Sequence, residues 1–453
     1  MIELRTSEAA LALKGRVSGR DTGFSGVTTD SRSTVPGQLF VALHGPNFDG
    51  HDWLGQAADA GAVAAMIDKP MDVEIPVITV EDTRRGLGAL ASFWRDQFDI
   101  PVIGITGSAG KTTVKEMVGA ILAEQGNPLI TRGNLNNDIG VPLTLFRLGK
   151  STTAAVIEMG ANKAGDISYL TRIAKPQFGV VTLCAPAHLE GFGDIETIAR
   201  TKGELFEHLA ESGTAVVNNE DTYAGLWKSL AGRRSIVTFG DGGDVRAEKI
   251  SVGAAGSSFL LVTPEASARC IIATSGRHNV NNALASAAIA LAVGVGIDQI
   301  VAGLARARPA PGRLNFRAGI GGSRVIDDSY NANPASMRAA LDVLAAQSGE
   351  KWLVMGDMGE LGPTSSTLHA EVATQAVNAG VTRLYGLGQH TANTCAAFGA
   401  GAEHFQDIDD LSESVVSALE RADVAPVVLI KASRAMALDK VVKNLESGGE
   451  TQC

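Results

Sequence analysis

The chain has 453 residues, of which 45% are hydrophobic and 19% are charged, and its formal net charge is −10. This composition is ordinary for a globular protein, and the length predicts about three domains. The negative charge and the lack of a long basic run argue against nucleic acid or an anionic membrane as the main partner. The four cysteines lie far apart without a CxxC pair, which predicts free thiols in a reducing compartment.

The amino-terminal sequence MIELRTSEAALALKG is acidic early and its apolar run is short, so it does not fit a signal peptide. The richest apolar stretch, residues 283–294, is rich in alanine and too short to span a bilayer. We therefore expect a cytoplasmic protein.

Residues 1–98 alternate between short apolar runs and helical patterns. The patterns predict strands at 38–43, 62–67 and 76–80 and helices near 52–60 and 83–98. Two polar clusters, at 29–32 and 44–52, interrupt them. On sequence alone, a polar turn and a surface loop explain these clusters best. The alternative is a small lobe that grips part of an anionic substrate through Arg32 and backbone amides.

Residues 101–126 predict a buried strand, a glycine-rich turn and an amphipathic helix. In the turn, GSAGKT, glycines let backbone N–H groups approach phosphates, and the helix N-terminus favours an anion. Lys111 can reach the β- and γ-phosphates of a nucleotide, and the Thr112 hydroxyl can ligate Mg²⁺. The usual spacing puts a glycine at position 105, where Ile105 stands. The order strand, Gly-Lys-Thr, helix still favours phosphate binding over a structural turn.

Residues 99–313 alternate strands and helices, as in α/β proteins. After an Asn- and Gly-rich loop at 131–140, a strand ends in Glu158, and beside a phosphate loop this favours a Mg²⁺ ligand over a strand cap. His188 follows the next strand; a lone histidine is more often structural, and a catalytic or metal role stays open. Lys202 falls in a predicted helix, where a lysine is usually at the solvated surface.

Two segments near the end of this region are candidates for nucleotide contacts. Three asparagines at 279–282 lead into a predicted helix at 283–293, where they suit the N-cap and first turn, but their amides could also recognise an adenine ring. Residues 306–313, with two prolines, a glycine and three arginines, predict a domain boundary. An arginine here could reach a γ-phosphate from outside the domain.

Residues 314–453 repeat the alternation of strands and helices. The predicted strands are 324–326, 352–355, 383–385 and 427–430. Polar loops at 327–334, 356–362 and 431–434 follow the first, second and last of them. Each loop alone is ordinary, but all three lie at the carboxyl ends of strands, so they can form one crevice.

These motifs together resemble the Mur ligases of peptidoglycan synthesis, over nearly the whole chain. The resemblance rests on TGSAGKTT, GNLNNDIGVPLTL, AVIEMGAN, AHLEGFG, TKGELF, GRHNVNNALA, PGR, DDSYNANP, GDMGELG and KASR, in this order. GNLNNDIG and DDSYNANP are specific to one member of the family. The phosphate loop with its altered glycine spacing is also shared with folylpolyglutamate synthetases.

The resemblance implies an α/β fold in three domains: a small UDP-substrate-binding lobe (1–98), a central P-loop ATPase-like parallel sheet (99–313) and a C-terminal Rossmann-like ligase domain (314–453). It implies ATP-dependent ligation of D-alanyl-D-alanine to UDP-N-acetylmuramoyl-tripeptide through an acyl phosphate, for cell wall biogenesis, cell shape and cell division. The expected protein is a monomer that uses ATP and two Mg²⁺ ions. Whether the third residue of the tripeptide is diaminopimelate or lysine stays open.

The resemblance also assigns roles to residues at the positions of its motifs. ATP would contact Gly107, Ser108, Ala109, Gly110, Lys111, Thr112, Thr113, His278, Asn282, Arg313 and Asp328. The catalytic residues would be Lys111, His188, Lys202 and Arg313, and the metal ligands Thr112, Glu158, His188 and, once carbamylated, Lys202. The substrates would contact Ser31, Arg32, Asn134, Asn136, Asn137, Asn331, Ser433 and Arg434. Carbamylation would turn the Lys202 amine into a carboxylate-like ligand for a second metal ion.

Two other functions compete with this interpretation. A folylpolyglutamate synthetase would use the same chemistry on another acid, but the lobe ahead of the phosphate loop argues against it. A GTPase-like switch would carry Asn-Lys-x-Asp, and the nearest match, residues 162–165, has Gly165 where the aspartate is needed. A switch also gives no reason for a third domain with three polar loops.

Overall fold

The structure, a computed structural model, describes residues 1–186, 189–254 and 256–446. Strands and helices alternate along most of the chain, and each sheet draws its strands from one of the three predicted segments. We keep the boundaries 1–98, 99–313 and 314–453 as a proposal. Among the described helices, none is both long and apolar enough to cross a membrane.

The N-terminal segment forms a five-stranded sheet in the order β2-β7-β6-β5-β4 and a separate pair, β1 with β3. Its strands are β1 (Glu3–Arg5), β2 (Arg16–Ser18), β3 (Gly23–Ser25), β4 (Val27–Thr28), β5 (Leu39–Val41), β6 (Ala64–Ile67) and β7 (Val77–Thr79). Its helices are α1 (Thr6–Leu13), α2 (Leu54–Asp59) and α3 (Thr83–Arg95). The three predicted strands and two predicted helices are confirmed, with shorter bounds, whereas β1 to β4 and α1 were not predicted.

The middle segment forms a six-stranded parallel sheet, in the order β13-β12-β11-β8-β10-β9, and a three-stranded antiparallel sheet. The parallel strands are β8 (Val102–Thr106), β9 (Pro128–Ile130), β10 (Ala154–Glu158), β11 (Phe178–Val181), β12 (Thr214–Asn218) and β13 (Ser235–Phe239). The antiparallel strands are β14 (Arg246–Gly253), β15 (Gly256–Val262) and β16 (Ser267–Ile272). The helices are α4 (Lys111–Leu122), α5 (Gly140–Leu145), α6 (Asp166–Ala174), α7 (Leu189–Phe192), α8 (Ile195–Glu207), α9 (Ala224–Ala231), α10 (Arg277–Val293) and α11 (Ile297–Arg306).

Strand β8 lies inside the parallel sheet, and both of its faces are covered. Ile103 and Ile105 pack on the layer that contains α4, α10 and α11, whereas Val102 packs on the opposite layer with α3, α5, α6 and α8. This division follows from the alternation of side chains along a strand. Each of these side chains is fully buried, which contributes about 2 kcal/mol per residue and fixes the end of β8 where the glycine-rich turn begins.

The C-terminal segment forms a six-stranded sheet in the order β17-β18-β22-β19-β20-β21, parallel except for β17. Its strands are β17 (Asn315–Ala318), β18 (Arg324–Asp328), β19 (Lys351–Gly356), β20 (Val381–Leu387), β21 (Ala402–Phe405) and β22 (Val427–Lys431). Its helices are α12 (Pro334–Ala345), α13 (Ser365–Asn378), α14 (Thr391–Phe398), α15 (Ile408–Glu420) and α16 (Asp439–Leu445). The four predicted strands are confirmed as β18, β19, β20 and β22.

Two predicted boundaries are wrong. Asp327 and Asp328 belong to β18, not to the loop after it, because both pair with β22. Helix α10 begins at Arg277 rather than 283, and its N-cap is Gly276, so the asparagines lie inside the first turns. Asn279 is buried there, and its Nδ2 donates to the carbonyl of Ser275 at 2.8 Å. This hydrogen bond satisfies the buried amide and offsets the low helix propensity of asparagine.

Candidate functional site

The glycine-rich turn after β8 is shaped by two glycines with positive φ. Gly107 has φ 146° and Gly110 has φ 82°. A Cβ atom on Gly107 would lie 1.9 Å from Thr182 Oγ1, and one on Gly110 would lie 2.4 Å from Asn282 Oδ1. Both positions therefore require glycine for space as well as for backbone conformation. The turn therefore lies against Thr182, which follows β11, and against Asn282 of α10. Helix α4 begins directly after the turn.

The altered glycine spacing has a packing explanation. Ile105 occupies the usual glycine position but is fully buried in the strand, so it belongs to the core and not to the turn. Gly104 lies on the other face, where an added Cβ would approach Leu205 of α8 to 2.9 Å. The turn itself starts only at Gly107. Ser108 fastens it, because its Oγ donates to the carbonyl of Ala185 at 2.9 Å.

Lys111 is the first residue of α4, and its Nζ donates to the carbonyl of Gly107 at 2.7 Å. Burial lowers the pKa of Lys111, an effect that the nearby carboxylate of Glu158 opposes and the charge of Arg313 reinforces. A lysine in this environment gains from an anion that replaces the missing solvent. The turn, the helix N-terminus and the Lys111 ammonium together suit a phosphate group.

Glu158 ends β10 at the edge of the sheet where the phosphate turn lies, and only 2% of it is exposed. Its Oε2 accepts from Thr112 Oγ1 at 3.1 Å, and its Oε1 accepts from Asn136 Nδ2 at 2.8 Å. A buried carboxylate beside a hydroxyl offers the oxygen ligands that Mg²⁺ prefers. These two residues therefore fit a Mg²⁺ ion next to bound phosphates.

Lys202 lies on α8, and only 3% of it is exposed, so the interpretation of a solvated helical lysine is wrong. Burial, and after it the positive charge of Lys111, lowers the pKa of Lys202 to about 7. Its Nζ lies 6.0 Å from the centroid of the Phe192 ring. Near neutral pH, Lys202 is therefore partly an uncharged amine, which is nucleophilic.

An open cavity of about 870 Å³ joins the phosphate end to the other polar loops. The predicted site residues that line it are Lys111, Asn134, Asn136, Asn137, Glu158, Lys202, Arg313, Asn331 and Arg434. They come from the middle segment and from two loops of the C-terminal segment. Residues predicted for phosphate, metal and substrate contacts therefore face one common space.

The residues predicted for the adenine side and the linker lie in the first turns of α10, in the linker itself and at the end of β18. Asn282 lies against Gly110, and burial lowers the pKa of the His278 imidazole. The Arg313 guanidinium stacks 4.3 Å from the centroid of the Tyr330 ring, and its buried Nε has no hydrogen-bond partner. Asp328 Oδ2 pairs with Lys431 Nζ at 2.5 Å. An unpartnered, buried guanidinium N–H beside the cavity is a donor that can bind an anion.

Three domain descriptions of known families match the sequence: "Mur ligase family, catalytic domain" over residues 23–120, "Mur ligase middle domain" over 105–290 and "Mur ligase, glutamate ligase domain" over 312–434. The chain belongs to the Mur ligase family. The Escherichia coli K12 protein named UDP-N-acetylmuramoyl-tripeptide–D-alanyl-D-alanine ligase is 42% identical to this Mur ligase over 452 residues, 99% of this chain and 100% of that protein.

Solved structures agree with the sequence matches. A crystal structure of MurF from Acinetobacter baumannii has a TM-score of 0.94 to this Mur ligase at 36% identity and covers 98% of this chain and 99% of its own. The MurF ligase of Thermotoga maritima in complex with ADP has a TM-score of 0.81 at 28% identity, covering 93% of this chain and 96% of its own. These matches confirm the predicted α/β fold class and the family.

Not every predicted site residue of this Mur ligase reaches the cavity. Ser31 and Arg32 lie in the N-terminal lobe, where Ser31 Oγ donates to Gln56 Oε1 at 2.7 Å and the exposed Arg32 pairs with Asp30 at 2.8 Å. Ser433 is bound to the neighbouring loop, since its N and Oγ both donate to the carbonyl of Asp357, at 3.0 and 2.7 Å. Ala109 accepts from Thr182 through its carbonyl, and Thr113 lines a small separate crevice. His188 lies outside the described residues.

Sequence reasoning missed the part of the cavity that the N-terminal lobe of this Mur ligase supplies. Arg84 and Arg85, from the start of α3, line the cavity, as do Asp138 and Tyr169. The Arg84 guanidinium forms two hydrogen bonds with the Asp138 carboxylate, one of them at 2.9 Å. Asp138 is part of the GNLNNDIG motif, but Arg84 belongs to no motif and lies 54 positions away, so only the folded chain shows that they meet.

Proposed function

We propose that this Mur ligase joins D-alanyl-D-alanine to UDP-N-acetylmuramoyl-tripeptide at the expense of ATP. The observation that carries the proposal is the single cavity in which the phosphate end of the site, with Lys111 and Glu158, meets the polar loops of Asn136, Asn331 and Arg434. The E. coli relative named for this reaction, 42% identical over its full length, supports the choice of substrates. The product is the pentapeptide precursor for peptidoglycan, and therefore serves cell wall biogenesis, cell shape and division.

The chemistry follows from the poor reactivity of a carboxylate. Transfer of the γ-phosphoryl group of ATP to the terminal carboxylate of the tripeptide gives an acyl phosphate and ADP, which supplies a good leaving group. The amine of D-alanyl-D-alanine then attacks the carbonyl carbon, and phosphate leaves from the tetrahedral intermediate. Lys111 and the unpartnered Nε of Arg313 would stabilise the negative charge of the transferring group.

Thr112 and Glu158 would hold Mg²⁺, because their oxygens are 3.1 Å apart at the phosphate end of the cavity. When bound there, Mg²⁺ neutralises negative charge on the phosphates. For a second metal ligand set we keep His188 and carbamylated Lys202 as a proposal, supported by the burial and the lowered pKa of Lys202 beside Lys111. Carbamylation would replace a buried amine by an anion next to Lys111, and so reduce the repulsion between two cations.

Three further points of the proposal concern the substrates and the protein as a whole. The UDP moiety would bind the N-terminal lobe near Ser31 and Arg32, as the motif there suggests. The third residue of the tripeptide would be diaminopimelate, since an A. baumannii structure with a TM-score of 0.90 and 36% identity is named for a substrate that contains it. The protein would act in the cytoplasm and as a monomer. Light scattering of the purified protein tests the oligomeric state.

Phosphate release tests the function directly. The assay contains ATP, Mg²⁺, UDP-N-acetylmuramoyl-tripeptide and D-alanyl-D-alanine, and omits each in turn. We expect release only with all four, together with a pentapeptide product by mass, and a higher kcat/KM for the diaminopimelate than for the lysine tripeptide. Slow hydrolysis without either acceptor or dipeptide would favour a nucleotide switch, and turnover with a folate and glutamate would favour a folylpolyglutamate synthetase.

A further inference from the structure

Two histidines and an aspartate meet in the N-terminal lobe, away from the residues that line the cavity. One ligand atom from each of His44, His51 and Asp68 lies within 4.8 Å of the others. In the described part of the chain, this is the one group of three or more His, Cys, Asp or Glu side chains that comes together in this way. The proposed ligase reaction uses none of the three.

The topology of the lobe explains why they meet. β5 and β6 are parallel neighbours, so the residues that follow them lie at the same edge of the sheet. Asp68 directly follows β6, and His44 follows β5 by three residues. The loop then folds back, because His44 pairs with Asp49 and the N–H of Gly45 donates to the carbonyl of Phe48 at 2.9 Å.

Gly50 makes the close return of this loop possible. Its N–H donates to the carbonyl of Leu43 at 2.8 Å, and an added Cβ would lie 2.7 Å from the backbone nitrogen of Leu43. The short 3₁₀ helix Gly50–Trp53 follows and turns His51 inward, where its side chain is completely buried. His51 thus reaches the same point as His44 and Asp68 from the opposite side of the loop.

The same carboxylate oxygen faces both imidazoles. Asp68 Oδ1 lies 3.0 Å from His44 Nε2 and 3.3 Å from His51 Nε2, and the two rings have centroids 4.9 Å apart. Asp68 Oδ2 points elsewhere and accepts from the backbone N–H of Thr83 at 3.2 Å. Separations near 3.3 Å are those of neighbouring ligands around a tetrahedral metal ion with bonds of about 2.0 Å.

A second carboxylate, that of Asp49, fixes which nitrogen of His51 faces Asp68. Asp49 Oδ1 lies 2.6 Å from His51 Nδ1, and Asp49 Oδ2 lies 3.4 Å from His44 Nδ1. Lys69 Nζ holds Asp49 in place at 2.5 Å. Donation of the His51 Nδ1–H to Asp49 leaves the His51 Nε2 lone pair free for a metal ion and increases its basicity. His44 Nε2 hydrogen-bonds Asp68 Oδ1 at 3.0 Å, and a metal ion would take the place of the proton that they share. The pattern carboxylate–imidazole–metal would here be made by Asp49 and His51.

We propose that His44, His51 and Asp68 bind one divalent transition-metal ion, with Zn²⁺ as the ion that fits best. Two imidazole nitrogens and one carboxylate oxygen are Zn²⁺ ligands, whereas Mg²⁺ prefers oxygen alone. Half of the His44 side chain is exposed, so water completes the coordination from that side. The ion would tie the 44–51 loop to the end of β6 and stabilise the folded lobe. The long hydrogen bond from the Asp68 N–H to His51 Nε2, at 3.3 Å, would be given up.

Zn²⁺ titration of the full-length protein against a chromogenic chelator tests this site, with Mg²⁺ in excess so that oxygen-ligand sites are filled. The test variant is His44→Ala, because His44 is half exposed while His51 is buried and needed for packing. The matched control is His404→Ala, which removes another exposed histidine, one that bonds only the carbonyl of Gly388 at 2.7 Å.

We expect one more tightly bound Zn²⁺ in the wild type and in His404→Ala than in His44→Ala, where the affinity falls at least about tenfold. Zn²⁺ should raise Tm in the first two proteins and not in the third, and bound Co²⁺ should give the visible absorption of a four-coordinate site. Asp68→Asn should behave like His44→Ala. Absence of the extra Zn²⁺ in the wild type, or equal binding by wild type and His44→Ala, would overturn the proposal and leave a hydrogen-bond network only.

Discussion

Lys202 gives a pH-dependent prediction that can be worked out from its surroundings. Carbamylation joins the neutral amine to CO₂ and releases one proton, so at a fixed concentration of dissolved CO₂ its rate follows the neutral fraction of Lys202. With a pKa of about 7, that fraction rises from about 9% at pH 6 to about 91% at pH 8. A lysine with the ordinary value of about 10.4 would stay below about 1% neutral over the same range. We therefore expect carbamate to form on Lys202 about tenfold faster at pH 8 than at pH 6 at constant dissolved CO₂.

The assay follows carbamate formation with time by ¹³C NMR of the protein with ¹³C-labelled bicarbonate and Mg²⁺-nucleotide. One carbamate resonance should appear near neutral pH, and it should be missing in Lys202→Ala. Lys150 is exposed and serves as the matched control, so Lys150→Ala should keep the resonance. Phosphate release should increase with dissolved CO₂ in parallel with the resonance.

Two results would refute the reasoning on Lys202. A carbamate signal that persists in Lys202→Ala would show that another amine is the neutral one. A signal that rises only near pH 10 would show that burial and the charge of Lys111 do not lower the pKa of Lys202.

Three other substitutions test the site. Lys111→Ala should lower kcat by at least about 10³-fold while circular dichroism and Tm stay unchanged, because its ammonium serves the phosphates; wild-type turnover would contradict the assignment. Gly110→Ala should lower the free energy of unfolding in urea by about 1–3 kcal/mol and inactivate the protein, because the new Cβ meets an amide oxygen. Gly165→Ala is the control, since Gly165 has a similar φ of 86° and no neighbour within 4 Å, and it should lose less stability and stay active. Equal losses of stability in the two variants would rule out the clash. Arg84→Ala should change stability by less than about 1 kcal/mol, because its pair with Asp138 is partly exposed, but raise KM for the tripeptide substrate; an unchanged KM would separate Arg84 from that substrate.

The buried parallel strands could be predicted from the sequence because their apolar runs are continuous. β8 and β22 are buried at every position, so hydrophobicity alone identifies them. The strands that were missed lie at edges or in small sheets. β21 has the sequence AEHF with no residue fully buried, and β14 is mostly exposed, so neither carries an apolar signal.

The candidate site was predictable where one local motif specifies its chemistry. The phosphate turn and Glu158 follow from a strand–turn–helix pattern and from a carboxylate at a strand end. Arg84 and Asp138 could not be found in this way, because their pairing depends on how the N-terminal lobe meets the middle segment. The His44, His51 and Asp68 group likewise depends on the neighbouring positions of β5 and β6.

The burial of Lys202, in contrast, did have a signal in the sequence. Within α8 it follows Ile198 by four residues and precedes Leu205 and Phe206 by three and four, so it lies on the apolar face of the helix. A surface lysine should fall on the opposite face. A lysine at a core position requires a charged partner or a lowered pKa. Either one indicates a functional residue here, because Lys202 lies beside Lys111 and lines the cavity. Helical periodicity alone thus separates Lys202 from the ordinary lysines of a solvated helix face.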